Sequence, residues 1–334
     1  MGRSSSAASS PAAAVLAPLA AACLGLFAAA CAPRRPAVVV PVSHWPGYEF
    51  FVLAHREGLD REAGIRIRPV EYPDPQDIVH AYLRGDVRIA QLTTVEVVDI
   101  CARVPERCPA VVLVLDESTG GDVVLARPPI SSVADLRGRR VAVAFSTLGP
   151  YVLARALERS GVALSAVPLR GMALGAMGAA LARGEVDAAV FFPPFSARAQ
   201  REQDLRRLFD SREIPGEIFD VLVVEPDWLR EHPAEAAALV RAWALAHAHA
   251  ASHPDESDAV MAQREQLPLV EFRSTLAGLR FYTLEKQVPL LADGGPIARN
   301  LAAVQRVQRQ LGLLPARGVL PEVTDEPVRQ ALNR

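Results

Sequence analysis

Apolar and polar positions alternate in blocks along this chain, and the period of each block predicts its structure. Residues 38–43 (VVVPVS) form a short β-branched run that reads as a buried strand. Trp45-Pro46-Gly47-Tyr48 is a turn, and residues 49–57 read as a helix stopped by Gly58. Residues 65–70 alternate apolar and basic side chains, as a strand does. A helix over 75–83 ends at Gly85, and 87–92 is a third strand. Thr93 and Glu96 have the spacing of a capping box, which opens a helix to residue 102. Residues 110–115 are an unbroken apolar strand. The order β-α-β-α-β-α-β with near-continuous apolar strands predicts an α/β fold, its sheet mostly parallel and covered on both faces.

The pattern then restarts. A short helix over 130–136, opened by Ser131 or Ser132, leads through Arg137-Gly138-Arg139-Arg140 into a strand over 141–145. A helix through residue 159 follows, with Pro150 near its first position. A strand at 167–170, a helix at 175–183 and a strand at 186–192 complete the block. The segment from Leu83 to Ala90 (LRGDVRIA) echoes that from Ala182 to Ala189 (ARGEVDAA): each is a helix end, a glycine stop, an acid and a buried strand. Beyond one more strand at 220–224 the chain is mainly helical, at 233–252, 269–276 and 297–311. The last third therefore lacks a sheet of its own and is expected to return to the first block.

Composition changes the picture at the front end. No acid precedes Glu49, and residues 12–31 are almost wholly Ala, Leu, Val and Cys after a basic start. These are the parts of a secretory signal. Leu26-Phe27-Ala28-Ala29-Ala30-Cys31 resembles a lipoprotein cleavage box, with Cys31 as the lipid-bearing first residue; Ala28 departs from the usual Leu. Cys23 is a second candidate, and a plain cleaved signal or an anchor is the alternative. Loss of residues 1–30 removes one base, Arg3, and no acid, so the net charge moves from −2 to −3. A chain so near neutrality lacks the basic excess that nucleic acid demands. Cys101 and Cys108 close a short loop, and an oxidising compartment favours a bridge between them over two free buried thiols.

The residues after the first strand, His44-Trp45-Pro46-Gly47-Tyr48-Glu49, resemble the Trp-x-Gly-Tyr-Glu signature of ABC-importer solute-binding proteins of the nitrate, sulfonate and taurine type. Further stretches agree in order: Leu115 to Asp122 (LDESTGGD), Ile130 to Val141 (ISSVADLRGRRV), Gly184 to Val190 (GEVDAAV), and His232-Pro233 before an Ala-rich helix with Trp243. The resemblance implies a two-lobed periplasmic-binding-protein type II clamshell. It implies a signal peptide at 1–30, a tether at 31–36, a first lobe of 37–124 and 220–334, and a second lobe of 125–219, hinged near 123–126 and 218–220. The implied function is capture of a small polar ligand by a monomeric, exported, lipid-anchored protein. The protein would have no cofactor and would deliver its ligand to a permease and ATPase. A pyrimidine-precursor synthase-like enzyme on the same fold is the alternative, although the iron-binding cysteine motif of those enzymes is absent. A sensor or docking lipoprotein without a permease is a third reading.

The resemblance implies ligand contacts at Trp45 and Tyr48 on the first turn; Thr93 and Thr94 after the third strand are candidates because a helix N-terminus offers N–H groups, and Asp116 and Ser118 near the crossover either touch ligand or bond the hinge backbone. Ser146, Thr147 and Tyr151 open the first long helix of the second block, and Phe192 ends its last strand. Asp122 has the same two readings as Asp116, ligand contact or hinge bonding. Glu49 reads as a first-turn charge complementing the helix dipole. Pro193 stands where relatives often carry Glu, and Arg88 where they often carry Asp. Arg170 is the one base placed near the cleft, against several acids, which tilts the ligand toward a neutral, amine-bearing or zwitterionic species. His247, His249 and His253 share one helix, and an ordinary helix surface explains them better than a metal site.

Overall fold

Strand β4 (Ala110–Ser118) is buried along its whole length and forms the spine of the first sheet. In this computed structural model, which describes residues 1–2, 36–315 and 318–333, the apolar runs become three sheets. The leader, Cys23 and Cys31 lie outside the described residues. Residues Ala37–Arg334 form one compact unit. Its strands are β1 (Val38–Val42), β2 (Ile67–Glu71), β3 (Ile89–Thr93), β4, β5 (Val123–Ala126), β6 (Val141–Val143), β7 (Leu169–Gly171), β8 (Ala188–Phe191), β9 (Arg206–Asp210), β10 (Phe219–Val224) and β11 (Leu279–Arg280). β1 and β2 form a parallel pair, one sheet has the order β11-β4-β10-β3, and the other has the order β7-β6-β8-β5-β9.

The expected parallel pairing holds for β1 with β2 and for β6 with β7 and β8. The rest differs: β10 runs antiparallel to β3 and β4, and β5 runs antiparallel to β8 and β9. The reason is connectivity. β5 carries the chain into the second sheet and β10 brings it back, so each enters from the end where its neighbours finish. β3 and β4 run the same way with β10 inserted between them. Strand β9 (RRLFD) gave no apolar run because it is an edge strand, exposed at its basic start and buried only at Phe209 and Asp210.

The local signals formed as the spacing dictated. Thr93 caps the helix Thr94–Arg103: Glu96 N donates to Thr93 Oγ1 at 3.2 Å, and Thr93 N donates to Glu96 Oε2 at 2.8 Å. The two echoing glycines, Gly85 and Gly184, both end helices at positive φ, 86° and 70°, where a side chain would be strained. The short helix Val133–Leu136 is a 3₁₀ turn capped by Ser132. Cys101 and Cys108 are joined in a disulfide that ties the end of the Thr94–Arg103 helix to the approach to β4.

The last third packs on the sheet of β3, β4 and β10. Trp243, buried in the helix Pro233–Ser252, lies edge-on to Phe50 at 5.9 Å. Gln287 grips the spine, accepting from Val114 N at 2.9 Å and donating to Val114 O at 2.8 Å. The chain end adds Val111 N to Glu322 O at 2.8 Å. Among the described residues no helix is long and apolar enough to cross a membrane.

Candidate functional site

The carboxyl ends of β1, β3, β4, β6 and β8 converge, as crevices in α/β sheets do. After β1 come Ser43, His44 and Trp45. β3 ends at Thr93, and Asp116 lies two residues from the end of β4. β10 starts beside them, so Asp220 is the register partner of both Thr93 and Asp116. Leu148 follows β6, Phe192 follows β8, and Asp122 precedes β5. The pocket they enclose is lined by Ser43, His44, Trp45, Tyr48, Pro75, Gln91, Leu92, Thr93, Glu96, Asp122, Leu148, Phe192 and Asp220. Its free volume is ≈ 20 Å³, about what one water needs, so a larger occupant requires the walls to separate.

Aromatic donors fix part of the acid cluster. Trp45 Nε1 donates to Asp116 Oδ2 at 3.1 Å, and the Tyr48 hydroxyl donates to Asp220 Oδ1 at 2.5 Å. Gly47 lets the turn approach this closely, because a Cβ there would collide with the Asp116 carboxylate. Phe192 closes the wall, edge-on to Trp45 at 5.8 Å. The other oxygens Asp116 Oδ1, Asp122 Oδ2 and Asp220 Oδ2 are buried without partners, as is Gln91 Oε1. Among the described residues no Lys or Arg lines the pocket.

Burial dominates the electrostatics. It pushes Glu96, Asp116 and Asp122 each up to about 7, because a buried carboxylate loses its hydration. Asp220 is raised well above the usual carboxylate range by burial and then by the charge of Asp116. The bonds from Thr93 oppose the rise at Glu96. Behind His44 lies a second buried pair, Glu49 and Glu265. Both are raised by burial, and both bind the Arg264 guanidinium. His44 is lowered by burial and by Arg264. Glu49, expected as a helix-dipole charge, is thus fully buried in an ion pair.

The residues singled out from the sequence separate into groups. Trp45, Tyr48, Thr93 and Phe192 line the pocket. Asp116 sits behind it, on the Trp45 indole. Ser118 lies outside the lining but bonds Asp122, which is in it, and meets Ser211 Oγ at 2.8 Å; that oxygen also accepts from Gly120 N at 2.7 Å, which ties the two crossing segments together. Thr94 is buried outside the lining, its hydroxyl unpartnered. Ser146, Thr147 and Tyr151 line a neighbouring cavity that shares only Glu96 with the pocket. There Ser146 meets His80 Nε2 at 2.9 Å, Thr147 donates to Ala144 O at 3.0 Å, and Tyr151 donates to Glu217 at 2.7 Å. Of the three only Thr147 serves the helix start, its hydroxyl accepting from Gly149 N at 3.3 Å. Arg170 is exposed and outside the pocket. His247 stacks on Trp243 at 5.2 Å, and His249 on His253 at 4.5 Å; among the described residues no group could hold a metal ion.

Sequence reasoning missed Asp220, Gln91, Leu92, Ser43 and Pro75 and gives His44 no site role, although all line the pocket. Asp220 left one signal, an acid opening an otherwise apolar strand. Gln91, polar within a buried strand, left another.

The NMT1/THI5-like family model matches residues 45–257. The taurine-binding periplasmic protein of Escherichia coli K12 is 25% identical over 294 residues, 85% of this chain and 90% of its own. The alkanesulfonate-binding protein SsuA of Xanthomonas axonopodis pv. citri, solved bound to MOPS, superposes with a TM-score of 0.71 at 18% identity, over 86% of this chain and 98% of its own. The desulfurization enzyme DSZB superposes with a TM-score of 0.64, also at 18% identity, over 90% of this chain and 99% of its own. The architecture is a periplasmic-binding-protein fold, with sheets flanked by helices.

Proposed function

The chain belongs to the NMT1/THI5-like family, and from that premise we propose that it is an exported solute-binding protein of an ABC importer. It captures a small polar solute between two lobes, 37–124 with 220–334 and 125–219, and hands it to a membrane permease. Residues 1–30 direct export, and lipidation at Cys31 tethers the mature chain beyond a short linker. The paired cysteines Cys101 and Cys108 suit an oxidising compartment.

The observation that carries this reading is the pocket itself. It draws Trp45 and Tyr48 from the turn after β1, Thr93 and Asp220 from the sheet of β3, β4 and β10, and Asp122, Leu148 and Phe192 from the sheet of β5, β6 and β8 or its approaches. Only two segments, 119–122 and 211–218, join the sheets there. Separation of the walls opens the pocket and closure seals it, and closure is what a permease can read. The fold alone does not decide between binding and turnover, since DSZB shares it.

The test is a thermal-shift and calorimetric screen of the full chain against sulfonates, nitrate, amines, pyrimidines and amino acids, with bound ligand recovered for mass spectrometry. A specific binder raises the melting temperature progressively with concentration and is recovered unchanged. Trp45→Ala, with its fold verified by circular dichroism, abolishes the shift. Recovery of a converted product would replace the binding reading with the enzymatic one.

A further inference from the structure

Several carboxylate oxygens in and behind the pocket have no donor, although one ring nitrogen of His44 in the lining is also free. Tyr48 spends its hydroxyl on Asp220 Oδ1, Trp45 its indole N–H on Asp116, and Thr93 its hydroxyl on Glu96. Asp122 Oδ2 and Asp220 Oδ2 are left without a partner, in side chains only 1% exposed that line the cavity. Gln91 Oε1 is equally buried and unpartnered, and Asp116, equally buried, lies within hydrogen-bond reach of Asp220, with which it shares a proton when one of the two is neutral. Burying such oxygens without a donor is destabilising, the more so when they are charged. Arg264, the cation behind His44, is engaged with Glu49 and Glu265. Trp45, Tyr48 and Phe192 add aromatic walls, the setting in which a cation is attracted to ring faces.

We infer that the occupant of this pocket carries a cationic head with several N–H bonds, a primary ammonium or amidinium, held by Asp122 and Asp220. This inference rests on the solute-binding reading and names its ligand class. A bare sulfonate or nitrate would meet three buried acids, Glu96, Asp122 and Asp220, and among the described residues no Lys or Arg, the basic side chain in the lining being His44, held low by burial. A quaternary ammonium would supply charge without donors and leave the oxygens unpaired. A primary ammonium offers three donors and an amidinium four, in an arrangement that can bridge two carboxylates. The amine of a zwitterion fits, but its anionic end gains no basic partner here.

The experiment compares probes of one size on the full-length protein by isothermal calorimetry: benzamidinium, benzylammonium, benzyltrimethylammonium, benzyl alcohol and phenylmethanesulfonate, with ethylammonium, taurine and ethanesulfonate as an aliphatic set. The ammonium and amidinium members bind, while the alcohol, the quaternary ammonium and the sulfonates bind at least tenfold more weakly or not at all. Asp122→Asn and Asp220→Asn each weaken cation binding by about 10- to 100-fold, with circular dichroism unchanged. Sulfonates or taurine binding in preference to cations overturns the inference and leaves the solute-binding reading standing. Equal affinity for the quaternary ammonium overturns the N–H part. If nothing of any charge binds, in this set or in the broader screen, both readings fail together.

Discussion

Replacing Asp122 by asparagine should make the ligand-free protein more stable at pH 8 and leave it nearly unchanged at pH 4. Asp122 is 1% exposed, and burial raises it from the ordinary 3.8 to about 7. Its folded value lies above its unfolded value, so folding takes up a proton. Its contribution to stability is complete below about pH 4 and is lost as the pH rises through about 7. The span from 3.8 to about 7, at about 1.4 kcal/mol per pH unit, makes an upper limit of about 4 kcal/mol lost by pH 8. Relaxation of the acids that face it, Glu96, Asp116 and Asp220, reduces the observable gain to about 2–4 kcal/mol. At about 2 °C per kcal/mol for a domain of this size, the variant melts about 4–8 °C higher at pH 8. His44 and His247, both lowered by burial, titrate with the opposite sign over part of the same range. Comparing variant with parent at each pH cancels them. Arg-paired acids such as Asp187 and Glu225, held low, are ionised in both states across pH 5–8. Urea and thermal melts at pH 4, 6 and 8 measure the difference. A gain that persists at pH 4 would refute the argument, because packing rather than ionisation would then be its source. No gain at pH 8 would refute it too. The substitution that stabilises the empty protein also weakens cation binding, an opposition between stability and function expected of a site built from unpaired polar groups.

Three further outcomes follow from single contacts. Gly47→Ala drives a methyl into the Asp116 carboxylate and costs about 1–3 kcal/mol; a urea melt reads the loss, and tryptophan fluorescence reads the displaced Trp45. Tyr48→Phe leaves Asp220 Oδ1 without its donor and costs about 1–3 kcal/mol at neutral pH, measured by the shift in the denaturation midpoint. Reduction of the Cys101–Cys108 bridge frees a loop of only eight residues counting both cysteines, so chain entropy predicts a loss of about 2 kcal/mol, seen by melting with and without reductant; no change would show that the denatured loop is already constrained.

The legible parts of this molecule are those settled within a few residues. The capping box at Thr93 and Glu96, the glycine stops at Gly85 and Gly184 and the helix Pro233–Ser252 depend on backbone groups one to four positions apart. The turn carrying Trp45 and Tyr48 was legible for the same reason, and its residues do line the pocket. Ser146 and Thr147 line the neighbouring cavity instead, a placement the sequence cannot give because a helix start looks the same whichever cavity it faces. Arg170 is exposed and outside the pocket, which a strand end alone does not reveal.

Tertiary structure alone decided the chemistry of the site. Asp220 is an acid at the head of an ordinary apolar strand until β10 inserts between β3 and β4 and sets it beside Asp116 and Thr93. Trp45 and Asp116 lie 71 positions apart, and Tyr48 and Asp220 172 apart. By itself the sequence determined the α/β pattern, the caps and stops, the exported front end as an expectation, and a surplus of acids over bases. Register and burial decided which of those acids lose their water together, and desolvation, a property of the folded neighbourhood rather than of any residue, turns four ordinary carboxyls into a site that wants a cation.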